Sequence, residues 1–323
     1  MADYGHPKVD EGLPQYNLAY AVNQKDSTPL FYELYDGSVI DNTELEIMLE
    51  EAKEFGHEKL GVLMDRGYIS EKNIKALRTK GYEYILMMKQ NQRICQEIIE
   101  EYGAAVQSLE GYYIGEHGVY GTTVKKQLYG QETNIHVYYD DIRASEEKVA
   151  LMSRYETWEK EIEKKVAKRI ATEGEMKKYR KVFKLKYDQN GYLVAYQRNS
   201  RYIKEEIRNL GFFFIITSEE MSTSKALDIY RGRDNIEKMF RSLKSGIDFN
   251  KARVHTTESL KSKVFVTFIA MIVRNELFQK AEELRKKNRK AYTVPGMISE
   301  LENIECTRTV SYTHLRAHET SQD

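Results

Sequence analysis

The stretch that decides the reading of this chain is Ala226 to Asn250, ALDIYRGRDNIEKMFRSLKSGIDFN. Turned through about 100° per residue, Tyr230, Arg233, Glu237 and Lys244 fall within an arc of about 60°, and Ile229, Ile236, Phe240, Leu243 and Ile247 fill the arc beside it. One carboxylate therefore lies next to an apolar stripe, with a tyrosine and two cations along its own face. An ordinary amphipathic helix explains the stripe alone; the polar half calls for a partner elsewhere in the chain.

That partner is sought at strand ends, where open α/β sheets place functional groups. Leu60 to Asp65, LGVLMD, reads as a buried strand whose first charged residue is its last, and Arg66-Gly67-Tyr68 follows. A strand-end Asp alone is an ordinary loop residue. Together with the helix, however, the chain resembles the bacterial insertion-sequence DDE transposases. Tyr230-x2-Arg233-x3-Glu237-x6-Lys244 matches the signature of that family, and Asp65-Arg66-Gly67-Tyr68 matches the motif around its second catalytic Asp. Gly37-Ser38-x2-Asp41 and Tyr4-Gly5-His6-Pro7-Lys8 resemble further family segments, so the resemblance covers about residues 4 to 280.

The resemblance implies an RNase H-like mixed α/β sheet flanked by helices and interrupted by a largely β-stranded insertion. It implies Asp65 and Glu237 as catalytic, metal-holding carboxylates, and Tyr230, Arg233 and Lys244 as contacts to DNA; Arg241 joins them as part of the same basic face. It also implies Mg²⁺ or Mn²⁺ as cofactor, double-stranded DNA with terminal inverted repeats as partner, a homodimer on that DNA, and a bacterial cytoplasmic, nucleoid-associated location. Two such ions held about 4 Å apart by three carboxylates activate the attacking oxygen and stabilise the departing 3′ oxygen. Here the sequence departs from the pattern, because no strand-like segment carrying an Asp precedes Tyr4. Asp3, Asp10 and Asp36 lie in unsuitable sequence, and Asp41 reads as the cap of a helix running to about Phe55. The expectation is an amino-terminally truncated transposase, inactive as written. A non-catalytic DNA-binding remnant and a metal-dependent nuclease on the same fold are the alternatives.

Composition allows this. A chain of 323 residues, 41% of them apolar, can bury a sizeable core. Fifty basic and fifty acidic residues balance overall, yet Lys225 to Lys263 holds ten Lys/Arg against five Asp/Glu, a local excess suited to phosphate. Two cysteines without a CxxC pair fit a reducing cytoplasm and exclude a cysteine-built zinc site. The most apolar run, Val264 to Val273, is too short to span a bilayer and reads as part of a buried helix over Ser259 to Lys287.

The rest of the chain follows from local patterning. Tyr16–Val22 and Pro29–Tyr35 read as a two-stranded hairpin, Ser70 and Asn73 as the start of a helix, and Tyr84–Met88 and Phe212–Thr217 as buried strands. Ile94–Ile99, Tyr112–Ile114, Thr133–Tyr139 and Tyr192–Tyr196 read as short strands, with a charged helix over Ser145–Thr172 and a turn at Asn190-Gly191. Ser222 or Thr223 caps the helix that follows Thr217, and Gly232 separates it from the next. His117 and His136 lack ligand-spaced neighbours and read as structural. The expected organisation is a first core part over 1–89, an insertion over 90–210, a second core part over 211–290, and a tail over 291–323. Ser311 to Asp323 resembles translated sequencing-adapter DNA, is non-native, and is expected to be disordered.

Overall fold

The computed structural model describes residues 16–36, 41–54, 56, 61–64, 66–168, 174–233, 254, 256–288 and 293–302. The chain divides into two compact units, one of residues 1–17 and 35–234 and one of residues 18–34 and 235–323.

In the larger unit, α1 (Asp41–Glu54) precedes β3 (Gly61–Met64), a 3-10 turn (Arg66–Tyr68), α2 (Glu71–Thr79) and β4 (Glu83–Met87). Then come α3 (Arg93–Ser108), β5 (Tyr113–Ile114), β6 (Val119–Leu128), β7 (Gln131–Tyr139) and α4 (Asp141–Lys168). A hairpin of β8 (Phe183–Tyr187) and β9 (Leu193–Arg198), α5 (Ser200–Asn209), β10 (Phe212–Thr217) and α6 (Thr223–Arg231) complete it. Six strands form one mixed sheet in the order β3-β4-β10-β7-β6-β5. β3 and β4 are parallel, in register Leu63↔Ile85, and α2 is their crossover. β10 runs antiparallel to both neighbours, pairing Ile215 with Met87 on one side and with His136 on the other. The sheet thus draws strands from all three segments that the sequence separates.

Strand side chains alternate between two faces, and each face has its own core. Leu86, Ile135, Val137, Phe212, Phe214 and Ile216 share a cluster with Leu45 and Leu49 of α1, Ile74 and Leu77 of α2, and Ile98, Ile99 and Val106 of α3. On the opposite face Ile85, Tyr138, Phe213 and Ile215 meet Leu227 and Tyr230 of α6. Covered on both sides, all six residues of β10 are buried, which accounts for the unbroken apolar run FFFIIT. A third cluster joins Leu151, Tyr155 and Ile162 of α4 to Phe183 of β8 and Leu193 of β9, forming a small helical and hairpin subassembly.

Two local expectations are corrected. Ile94–Ile99 is not a strand but the first part of α3, since Cys95, Ile98, Ile99 and Val106 are buried at helical spacing. Tyr112 closes a 3-10 turn, and β5 starts only at Tyr113. β6, whose Val119-Tyr-Gly-Thr-Thr-Val-Lys-Lys-Gln-Leu128 shows little apolar alternation, is a strand the patterning missed, as is β8. Gly121 lies opposite Tyr138, and a Cβ there would come within 2.9 Å of that ring, so glycine is what lets the aromatic lie across β6.

In the smaller unit the hairpin of β1 (Tyr16–Val22) and β2 (Pro29–Asp36), whose outermost residues belong to the larger unit, accompanies α7 (Thr257–Asn288) and α8 (Val294–Glu302). Asn275 and Gln279 of α7 donate to the Asp26 carbonyl in the hairpin turn at 3.1 and 2.9 Å, and Phe268 stacks on Tyr20 at 6.2 Å. Leu260, Val264, Thr267, Met271 and Asn275 form the buried stripe of α7, whereas Val266 and Val273 are exposed. The expected buried helix is therefore buried along one side only. Among the described residues, no helix is long and apolar enough to cross a membrane. Residues 311–323, expected to be disordered, lie outside the described residues.

Candidate functional site

Asp65, Glu237, Arg241 and Lys244 lie outside the described residues, so the structure speaks to the candidate site through the elements that lead into it. β3 ends at Met64, and the Arg66-Gly67-Tyr68 motif forms the 3-10 turn that follows. This turn is fixed from α2: the buried Asn73 donates its Nδ2 to the Tyr68 carbonyl at 2.9 Å, while its backbone N–H reaches Ser70 Oγ at 3.2 Å as the helix cap. The sequence signal for the cap and the packing of the motif are thus one device.

α6 leads into the second motif. Ser222 caps it by accepting from the Lys225 N–H, and it ends at Gly232, whose own N–H returns to the carbonyls of Asp228 and Tyr230. Because the helix stops there, the arc calculated across Gly232 does not describe its inner face. Ala226, Leu227 and Tyr230 are buried and Ile229 is only half-buried, which moves Tyr230 from the expected polar arc to the packed one. Tyr230 is 6% exposed, and the Arg233 guanidinium carbon lies 5.0 Å from its ring centroid. Such a contact holds a cation in place by attraction to the ring face. Leu63, two residues before Asp65, packs against the cluster that contains Tyr230. Leu63, beside the first motif, and Tyr230 of the second thus share one apolar cluster, whereas Tyr68 of the first motif packs against the cluster of the opposite face.

Beside α6 lies a polar group that spacing did not single out. Glu116, His117 and Asp228 offer ligand atoms within 4.8 Å of one another. His117 Nδ1 is 2.9 Å from Arg231 Nη1, and its Nε2 is 2.8 Å from Asp228 Oδ1. Guanidinium can only donate, so Nδ1 accepts and the ring proton of neutral His117 resides on Nε2, close to the carboxylate but not hydrogen-bonded to it. Neither nitrogen then has a lone pair to give, and a fixed cation stands alongside. A hard ion such as Mg²⁺ also prefers oxygen ligands. These residues do not fit a metal; they tie the β5–β6 turn to α6. His117 is structural, as its sequence context suggests.

His136 is structural as well. It is fully buried between Thr123 Oγ1 at 2.8 Å and Thr217 Oγ1 at 3.1 Å. The Thr217 hydroxyl donates to the Glu219 carbonyl, so it accepts from Nε2–H, and Nδ1 accepts from Thr123. Burial pushes the imidazole down to about 4.

A feature the sequence reading passed over is the run Lys177 to Tyr187, KKYRKVFKLKY, with six basic residues and no acidic one. A charge count taken over short windows would have found it. Residues 2–273 match the model of a family described as Transposase DDE domain. A search of curated proteins gives no match.

Proposed function

The chain belongs to the transposase DDE domain family, and from that premise we propose that it acts on the ends of insertion-sequence DNA by phosphodiester hydrolysis and strand transfer, through an RNase H-like core. Members of this family depend on a divalent metal. Asp65 and Glu237 would hold it here, and when bound it activates the attacking oxygen and offsets charge on the leaving one. Tyr230, Arg233, Arg241 and Lys244 would hold the DNA backbone, with Arg233 oriented by the Tyr230 ring. The element would be engaged by a homodimer at its inverted terminal repeats.

The observation that supports this reading is that Leu63, leading into Asp65, and Tyr230, leading toward Glu237, pack into one cluster. The parallel β3–β4 pair with α2 as crossover is the unit an RNase H-like core needs. Only two of the three family carboxylates have a counterpart in this sequence. Two close divalent ions repel one another unless a third carboxylate offsets them, so cleavage requires one more acidic side chain beside Asp65 and Glu237. Among the described residues β3 is the last strand of its sheet.

The test is a cleavage and joining assay in Mg²⁺ on duplex DNA carrying the element's terminal repeats. It compares this chain with a version extended at its amino end by an Asp-bearing strand. Cleavage only in the extended form, abolished by Asp65→Asn or Glu237→Gln, is expected. Equal cleavage by both forms would mean that Asp3, Asp10, Asp36 or Asp41 completes the site. Cleavage that survives both substitutions would remove Asp65 and Glu237 from the mechanism.

A further inference from the structure

Asn73 is an awkward residue for its place. It is 1% exposed on α2, beside the buried Ile74 and Leu77, where an amide must find hydrogen bonds or lose its hydration uncompensated. It finds one on the turn next to Asp65, donating from Nδ2 to the Tyr68 carbonyl at 2.9 Å. The turn brings no buried side chain to this contact, and a Cβ added to Gly67 would meet nothing within 4 Å. Before Asp65 the chain is held by Met64, which is in register with Leu86 and packs in the cluster shared by α1, α2 and α3. After it, Tyr68 rests against the same cluster, with its carbonyl held by Asn73.

We infer that Asn73 is a positioning residue for Asp65: from α2 it fixes where the chain goes after β3, and so the direction of the Asp65 carboxylate. Only Asp65, Arg66 and Gly67 separate the two fixed points, Met64 and Tyr68. Glycine is the most permissive of residues, so without the second point this span is free to turn the carboxylate away. A carboxylate that takes a hard divalent ion has to be aimed, because its oxygen meets the ion at about 2 Å, and a supporting group one layer out typically changes affinity about 10- to 100-fold. The role rests on the proposed reading of Asp65 as a metal ligand. It is separable from the start of α2, since Ser70 Oγ caps the helix through the backbone N–H of residue 73, which almost any side chain there leaves in place.

The experiment titrates Mn²⁺ into the full chain and follows the free ion by its EPR signal, at a temperature where circular dichroism shows every variant folded. Asn73→Leu keeps the size of the side chain and removes the donor. Ser70→Ala removes the cap and leaves the donor, Ile74→Val loosens the packing of α2 and leaves both, and Asp65→Asn defines the binding that depends on Asp65. Asp65→Asn is expected to abolish the tightest Mn²⁺ binding and Asn73→Leu to weaken it about 10-fold or more, with Ser70→Ala and Ile74→Val within about 2-fold of wild type. Wild-type affinity in Asn73→Leu, beside a loss in Asp65→Asn, would overturn the role of Asn73 alone. Equal weakening in Asn73→Leu and Ile74→Val would reduce Asn73 to packing and overturn it too. Unchanged binding in Asp65→Asn would remove Asp65 as a ligand and the role of Asn73 with it. Should Asn73→Leu not fold, Asn73→Ala, which has no bulk to clash, is judged by the same outcomes.

Discussion

His136 carries a cost that depends on pH. Its imidazole is fully buried between two threonine hydroxyls, and burial lowers its folded value from 6.5 to about 4. The folded state therefore keeps the ring neutral at pH values where the unfolded chain has already bound a proton. Between these two values the unfolded state holds more protons, so stability rises with pH, is fully present above 6.5, and is eroded as pH falls toward 4. The whole window is worth roughly 3 kcal/mol. Urea unfolding of the wild type and of His136→Gln at several pH values between 4 and 7.5 should show a steeper acid loss in the wild type. Parallel curves would mean that His136 does not titrate in this range. Sequence suggested a structural histidine from the lack of ligand-spaced neighbours. It did not suggest the partners, because Thr123 lies on β6, whose polar run hides a strand, and Thr217 reaches His136 only through the pairing of β10 with β7.

At the scale of the element, α6 shows both what was legible and what was not. Its cap at Ser222 and its stop at Gly232 follow from local chemistry and are found. The side that Tyr230 occupies was misjudged, because periodicity was carried across a helix end. The same limit applied to α3, where a six-residue apolar segment does not distinguish strand from helix until Tyr102 and Val106 extend the period. Tyr230 now has two separable roles. Tyr230→Phe keeps the ring that packs in the cluster and carries Arg233, so thermal stability should remain within about 1 kcal/mol of wild type. Tyr230→Ala removes the ring and should cost about 3 to 5 kcal/mol. In an amino-terminally extended protein, Tyr230→Phe is expected to reduce cleavage while melting near the wild-type temperature. Equal loss of stability and activity would confine the hydroxyl to a packing role.

For the whole molecule, the local excess of cations from Lys225 to Lys263 predicts binding to the DNA backbone by the signature region. Arg233→Ala together with Lys244→Ala should weaken binding to the terminal repeats and reduce the salt slope by up to about 2. A filter-binding titration with an unchanged slope would dismiss both as phosphate contacts. Most strands and helices were readable because apolar runs such as LGVLMD and FFFIIT are bounded by charge or glycine. The order of the strands was not readable. Pairing between distant strands depends on complementary edges and shared faces, and neither leaves a periodic trace in one sequence.

That order has a consequence for how the chain is made. β10 is wedged between β4 and β7, with Ile215 in register with Met87 and His136, so the middle of the sheet is supplied by one of the last strands to be synthesised. Until it arrives, β4 lacks its inner neighbour and the β6–β7 hairpin lacks the strand that joins it to β4. Loop-closure entropy must be overcome before those contacts repay it, which makes for slow folding and a nascent chain with exposed strand edges. Gly211, immediately before β10, sits at φ +79°, with no room for a Cβ beside Ala144 and the Asp140 carbonyl. It is the pivot on which that late strand turns into its slot.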